Sequence, residues 1–130
     1  MKTLKIRLYP TKEQEILFYK HINCQRYIYN WALSINNELY KENQKKYSCD
    51  ELGKILTQHK KDNIWLNEVS NATLKESIRN LDKAYTNFYK GRANLPQFKS
   101  KKKYKLSFYS RYDKVKFYQN YHIHIYLLDL

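Results

Sequence analysis

Arg26 and Asn30 stand four residues apart, one turn of a helix, and therefore share a face. A guanidinium and a carboxamide presented together suit phosphate oxygens or base edges; the same pair suits an internal hydrogen-bond network with a neighbouring strand. Sequence alone leaves both readings standing. A second constellation is the run Phe98-Lys99-Ser100-Lys101-Lys102-Lys103-Tyr104-Lys105, with five lysines in the seven positions from Lys99 onward. Closely spaced ammonium groups neutralise phosphates and give an affinity that falls with salt, without reading base sequence. The same run suits a solvated linker between a helix and a sheet. Tyr104, Tyr109, Tyr112 and Tyr118 follow it. Tyrosines beside lysines on a sheet resemble the platforms on which unpaired bases stack, although alternation sends some of these rings to a core.

Other chemistry finds little support. His122-x-His124 puts two imidazoles on one strand face, which could begin a metal site, but no third ligand accompanies them and they read as surface histidines. There is no recognisable Ser-His-Asp or Cys-His arrangement, and two glycines cannot make a glycine-rich phosphate loop. Trp31 and Trp65 could each stack on a base, yet among Ile28, Ile35 and Leu66 they read better as core. These residues point to binding rather than catalysis, with no cofactor and no metal.

Composition agrees with a polyanion partner. The 130 residues carry 25 Lys plus Arg against 12 Asp plus Glu, a formal charge of +13. Thirteen of the basic residues and only three acidic ones fall between Lys75 and Lys116. An AT-rich genome would raise lysine everywhere, and it would not choose one segment. Two cysteines, Cys24 and Cys49, exclude a disulfide framework or a four-cysteine zinc site and fit a reducing cytosol. No apolar run approaches the roughly 20 residues of a bilayer span, and Met1-Lys2-Thr3-Leu4-Lys5 lacks the apolar stretch of a signal peptide. The expected location is the cytoplasm, in a bacterium or encoded by a phage or mobile element.

The elements that must position these groups follow from periodicity. Leu4, Ile6 and Leu8 alternate with polar residues as in a half-buried strand ending at Pro10. Thr11 and Gln14 form a capping box for a first helix, which Asn23 separates from a second over Cys24 to about Lys41. There Ile28, Trp31, Ile35 and Leu39 form the apolar stripe, leaving Arg26, Tyr29 and Asn30 to flank or oppose it. Ser48 and Glu51 make a second capping box for a helix carrying Leu52, Ile55 and Leu56. Ser70 caps the longest helix, about Asn71 to Arg92, whose stripe is Leu74, Ile78, Leu81, Tyr85 and Phe88. Beyond Pro96 the period becomes two, giving three short antiparallel strands around Tyr104–Tyr109, Val115–Tyr118 and His122–Leu127, with turns near Arg111–Asp113 and Gln119-Asn120. The expected fold class is therefore α+β: a helical bundle (11–94) inserted after the first strand of a small antiparallel sheet or partial β-barrel (1–10 and 95–130).

Taken in order, Arg7-Leu8-Tyr9-Pro10-Thr11-Lys12-Glu13-Gln14, Arg26-Tyr27-Ile28-Tyr29-Asn30-Trp31-Ala32-Leu33, Trp65-Leu66, Leu81-Asp82-Lys83-Ala84-Tyr85-Thr86-Asn87-Phe88-Tyr89 and Pro96-Gln97-Phe98-Lys99-Ser100-Lys101-Lys102 resemble the amino-terminal part of the OrfB/TnpB proteins. These are encoded by bacterial insertion sequences and are relatives of the type V CRISPR effectors. The resemblance implies a wedge-type β-barrel interrupted by a helical recognition domain of the helix-turn-helix kind. It further implies that Arg7, Tyr9, Arg26, Tyr29, Asn30, Lys99, Lys101, Lys102 and Lys103 lie near guide RNA or phosphate backbone. By the same resemblance Cys49, Asn71, Ala72, Lys75, Arg111 and Tyr112 face the short DNA motif flanking a target.

Members of that family continue into a RuvC-like nuclease domain with three catalytic carboxylates and a four-cysteine zinc ribbon. The 130 residues reach Ile125-Tyr126-Leu127-Leu128-Asp129-Leu130 without either. The expectation is thus a truncated TnpB-like protein that is not an enzyme, binding RNA and in a second capacity double-stranded DNA. Alternatives are one half of a split nuclease completed by a protein partner carrying the RuvC-like part, a regulator or inhibitor of such an effector, or a decayed remnant. No membrane partner is expected.

Overall fold

A computed structural model describes residues 9–103, 107–109, 115–118 and 124–127. The expected strand over Leu4–Leu8 and the turns near 111–113 and 119–120 lie outside the described residues.

Thr11 opens α1 (Lys12–Lys41) with its capping box. Its hydroxyl accepts from the Gln14 N–H at 3.3 Å, and the Gln14 side chain accepts from the Thr11 N–H at 2.9 Å. The helix then runs thirty residues without a break, so the expected division at Asn23 does not occur. Asparagine lowers helix propensity by only about 0.7 kcal/mol and keeps its N–H, whereas apolar neighbours on both sides gain by staying helical. Asn43 ends α1 instead, at φ 56°. The Gln44 N–H donates to Leu39 O at 2.8 Å and the Asn43 N–H to Tyr40 O at 3.0 Å, the two bonds of a Schellman turn.

Ser48 caps α2 (Cys49–Asp62) by accepting from the Glu51 N–H at 3.3 Å. The second half of that box takes another form, because the Ser48 hydroxyl donates to the Glu51 carboxylate at 3.1 Å. A 3-10 helix (Ile64–Glu68) leads to α3 (Asn71–Tyr89), where Ser70 occupies the N-cap position but makes no side-chain capping bond. α3 stops before the expected Arg92. Gly91 adopts φ 72° and closes a second Schellman turn, with Arg92 N–H to Asn87 O at 2.8 Å and Gly91 N–H to Phe88 O at 3.0 Å.

Ile28, Ala32, Leu33, Leu66, Leu74, Ile78 and Leu81 form the centre of the core, each no more than 2% exposed, with Leu52 and Leu56 supplied by α2. Each of the leucine and isoleucine side chains stabilises the fold by about 1.5–3 kcal/mol relative to exposure. α3 buries the stripe its spacing indicates, from Leu74 to Tyr85. On α1 the buried band is wider than expected and rotated. Tyr29 and Leu33 lie inside it, while Trp31 and Ile35 pack at its margin.

The α+β expectation, a bundle inserted into a small antiparallel sheet or partial barrel, is overturned. The packed body is all-helical: among the described residues its core comes from α1, α2, the 3-10 helix and α3, joined by Val69. The apolar alternation at Ser107–Tyr109 belongs to chain in no regular structure. The N–H and carbonyl of Tyr109 bond to side chains on α1 and α3, and Phe108 packs on α1. Further along, β1 (Val115–Tyr118) and β2 (His124–Leu127) pair antiparallel, Val115 opposite Leu127 and Tyr118 opposite His124. A four-residue ribbon of two strands cannot found a sheet domain.

Candidate nucleic-acid interface

Buried polar side chains on α1 and α3 lay the returning chain along the helices. Ser77, 1% exposed, donates from Oγ to Gln25 O at 2.7 Å, tying α3 to α1. The Gln25 side chain accepts from the Tyr109 N–H at 3.0 Å, and Thr73 Oγ1 donates to Tyr109 O at 2.5 Å. One backbone unit is thus held from both helices. Asn30 holds Lys99 in the same manner, donating from Nδ2 to Lys99 O at 3.0 Å and accepting at Oδ1 from the Lys99 N–H at 2.8 Å. Phe108 packs nearer the start of α1, its ring 5.5 Å from Phe18 and 4.9 Å from His21.

His21 is fully buried. Its Nδ1 lies 2.8 Å from Leu17 O, so the proton sits there, and Nε2 has no partner among the described residues. Burial pushes its pKa down, opposed in part by the bond to Leu17.

Pinning Lys99 determines what surrounds it. Its ammonium lies over the Tyr29 ring at 4.6 Å from the centroid, a cation–π contact. Beside it opens a cavity of about 250 Å³ lined by Tyr29, Ser77, Asn80, Lys83, Ala84, Asn87 and Lys99. Asn80, Lys83, Ala84 and Asn87 recur at spacings of three and four and so form a stripe on α3 next to its apolar one. Two ammonium groups, two carboxamides, a hydroxyl and a phenol face one space, and no carboxylate is among them. The acids of α3 are engaged elsewhere: Glu76 pairs with Arg79 at 3.4 Å and Asp82 with Lys46 at 3.7 Å. Lys75, Lys83 and Lys90 form no ion pair with a described residue.

The residues expected near RNA divide. Tyr9 is 54% exposed, and Lys101, Lys102 and Lys103 are exposed in a turn closed by Lys103 N–H to Ser100 O at 3.3 Å. Arg26 is half-buried and bonds to no described residue. Tyr29 is only 6% exposed, and both ends of the Asn30 amide serve Lys99, so the internal network is what the structure shows for that side chain. Arg7 lies outside the described residues. Of the residues expected to face DNA, Asn71, Ala72 and Lys75 share the first turns of α3, with Asn71 Oδ1 accepting from Lys60 Nζ at 3.3 Å. Cys49 is not with them. Its Sγ lies 3.9 Å from Ile78 O, about two turns along α3, and burial, followed by nearby Asp82, raises its thiol pKa. Arg111 and Tyr112 lie outside the described residues.

A second group, on the α2 side of α1, was not indicated by spacing. Tyr27 Oη and His59 Nε2 are 2.9 Å apart, Trp31 stacks on His59 at 4.6 Å, and Trp65 meets Tyr27 edge-on at 4.8 Å. Neither tryptophan sits inside the core as expected: Trp31 packs at its margin, and Trp65 is 43% exposed. Among the described residues no cluster of three or more His, Cys, Asp or Glu side chains could hold a metal, and no helix is long and apolar enough to cross a membrane. His122 lies outside the described residues.

A family model described as a helix-turn-helix domain, that of OrfB from IS605-type elements, matches residues 1–45. The amino-terminal part of this chain is an OrfB-type helix-turn-helix domain. Two curated proteins, both named "Putative RNA-guided DNA endonuclease", align with most of the chain. One, from Streptomyces pristinaespiralis, is 33% identical over 108 residues, covering 82% of this chain and 27% of that protein. The other, InsQ from Escherichia coli K12, is 27% identical over 103 residues, covering 78% of this chain and 26% of its own length. The homology is distant and extends well beyond the OrfB-type domain. Within the matched span α1 is a single uninterrupted helix, so the turn named in the domain's description does not fall between Lys12 and Lys41.

Proposed function

We propose that these 130 residues are the nucleic-acid-binding part of a TnpB-like protein, gripping guide-type RNA and carrying no nuclease chemistry of their own. The grip runs from Arg26 across Lys83 and Lys99 to Lys101, Lys102 and Lys103. Asn71, Ala72 and Lys75, on the first turns of α3, are the proposed place for duplex DNA beside a target, and the cytoplasm the proposed location. One observation carries the reading. Asn30 fixes the main chain of Lys99 by two hydrogen bonds, which sets the lysine-rich run against α1 beside a cavity walled by Lys83. A run whose first lysine is held in this way starts from a fixed point, which lowers the entropy cost of engaging a phosphate chain. The converging groups are nearly all donors, and donors suit phosphate and sugar oxygens. The OrfB-type domain and the named activity of the relatives support the same reading.

The test is expression of the whole chain, purification at low salt and sequencing of co-purified RNA. An enriched RNA species is the expected result. RNA indistinguishable from the cell's total pool would overturn the assignment to a guide-type partner.

A further inference from the structure

The cavity between α3, Tyr29 and Lys99 has features that phosphate neutralisation alone does not require. Its volume, about 250 Å³, lies just below the roughly 300–1,000 Å³ of sites that enclose a whole small ligand. It is far larger than the roughly 30 Å³ of one water. Its walls carry several polar groups: Lys83 and Lys99 supply ammonium groups, Asn80 and Asn87 supply carboxamides about two turns apart on one face of α3, and Tyr29 lines it as well. A carboxamide both donates and accepts, so Asn80 and Asn87 can serve a sugar hydroxyl as well as an oxygen acceptor. Lys83 is exposed and forms no ion pair with a described residue. Lys99 is held at its main chain by Asn30, and its ammonium lies over the Tyr29 ring at the edge of the space.

We propose that this cavity seats one sugar–phosphate unit of a single-stranded nucleic acid. Lys83 and Lys99 would flank the phosphodiester, and Asn80 and Asn87 would bond the sugar. The size suits one unit of a polymer whose neighbours lie outside on the exposed lysines at 101–103. The inference rests on the nucleic-acid-binding reading and adds a defined subsite to it.

The test uses the full chain with 15N-labelled asparagine side chains, titrated with a short oligouridylate and, in parallel, a short oligothymidylate. The Asn80 and Asn87 amide signals should shift on titration, more with the ribose oligomer if the 2′-hydroxyl is bonded. An equal response would assign the site to the phosphodiester and the shared sugar atoms. Lys83→Gln should weaken oligouridylate binding about 3- to 10-fold and lower the log–log salt slope by about 0.7, the loss of one phosphate contact. Asn87→Ala should weaken it about threefold with the slope unchanged, since a neutral group leaves. Lys54→Gln on α2, which removes the same charge away from the cavity, should change affinity less than twofold. Oligomer binding with no movement of either asparagine signal, or equal losses for Lys83→Gln and Lys54→Gln, would overturn the subsite while leaving nucleic-acid binding intact. No binding of either oligomer at low salt would overturn both.

Discussion

The carboxamide of Asn30 pairs with the main chain of Lys99 as a neighbouring strand would, donating to its carbonyl at 3.0 Å and accepting from its N–H at 2.8 Å. One side chain thereby fixes a residue 69 positions later in the sequence. Asn30→Ala removes both bonds at an exposed site, where water can replace them, and should cost about 1 kcal/mol in global stability. Its larger effect should be local. Trypsin should cut the Lys99–Lys103 run of the variant several-fold faster than that of the parent, while cleavage within α1 keeps its rate.

Tyr109 is held from both helices, so its two anchors should couple. Thr73→Val leaves the Tyr109 carbonyl without its donor, and Gln25→Met leaves the N–H without its acceptor. Each should destabilise by about 1–2 kcal/mol, and the double variant should fall short of the sum by about 0.5 kcal/mol or more, because loss of either anchor loosens the other. Urea unfolding of the four proteins in the cycle measures this directly.

The two glycines should respond to alanine with opposite signs. Gly53 lies inside α2 with nothing within 4 Å of an added Cβ, so Gly53→Ala should stabilise by about 0.5–1 kcal/mol. Gly91 is equally open but sits at φ 72°, and Gly91→Ala should destabilise by about 1 kcal/mol through the left-handed backbone alone. Thermal melts of the two variants separate space from conformation.

Burial lowers the pKa of His21 and of His59 below the ordinary histidine value. A lowered folded pKa means that the unfolded chain takes up the proton first. Stability is therefore full above about pH 6.5 and falls as pH drops below it toward the folded-state values. His21→Leu removes Nε2, which has no partner among the described residues, and keeps an apolar contact for Phe108. It should be neutral or stabilising at pH 7 and should flatten the decline in melting temperature between about pH 6.5 and 5.

Much of the helical frame is legible in the sequence. Thr11-x-x-Gln14 and Ser48 mark helix starts because a side-chain oxygen must take up orphan N–H groups, and both do so. The stripe from Leu74 to Tyr85 is legible for the same kind of local reason. The candidate surface is less so, because it depends on polar residues that are buried. His21 and Gln25, and likewise Thr73 and Ser77, fall four residues apart on the buried faces of α1 and α3, where hydrophobic periodicity counts them as solvent-facing. Polar residues in phase with an apolar stripe were the available signal. Alternation around Phe108 points to a strand, yet its partners prove to be side chains on helices far away in sequence, which no local period contains. The break at Asn23 fails for a related reason: a weak local preference yields to burial along both flanks.

The central claim is that the chain grips RNA through fixed cations. Fluorescence anisotropy of a labelled single-stranded RNA with the whole protein, repeated over a salt series, tests it most directly. Contacts from about six cations, Arg26, Lys83, Lys99, Lys101, Lys102 and Lys103, predict a straight log–log plot with a slope of about −4. A flat salt dependence, or no binding at the lowest salt, would contradict the account.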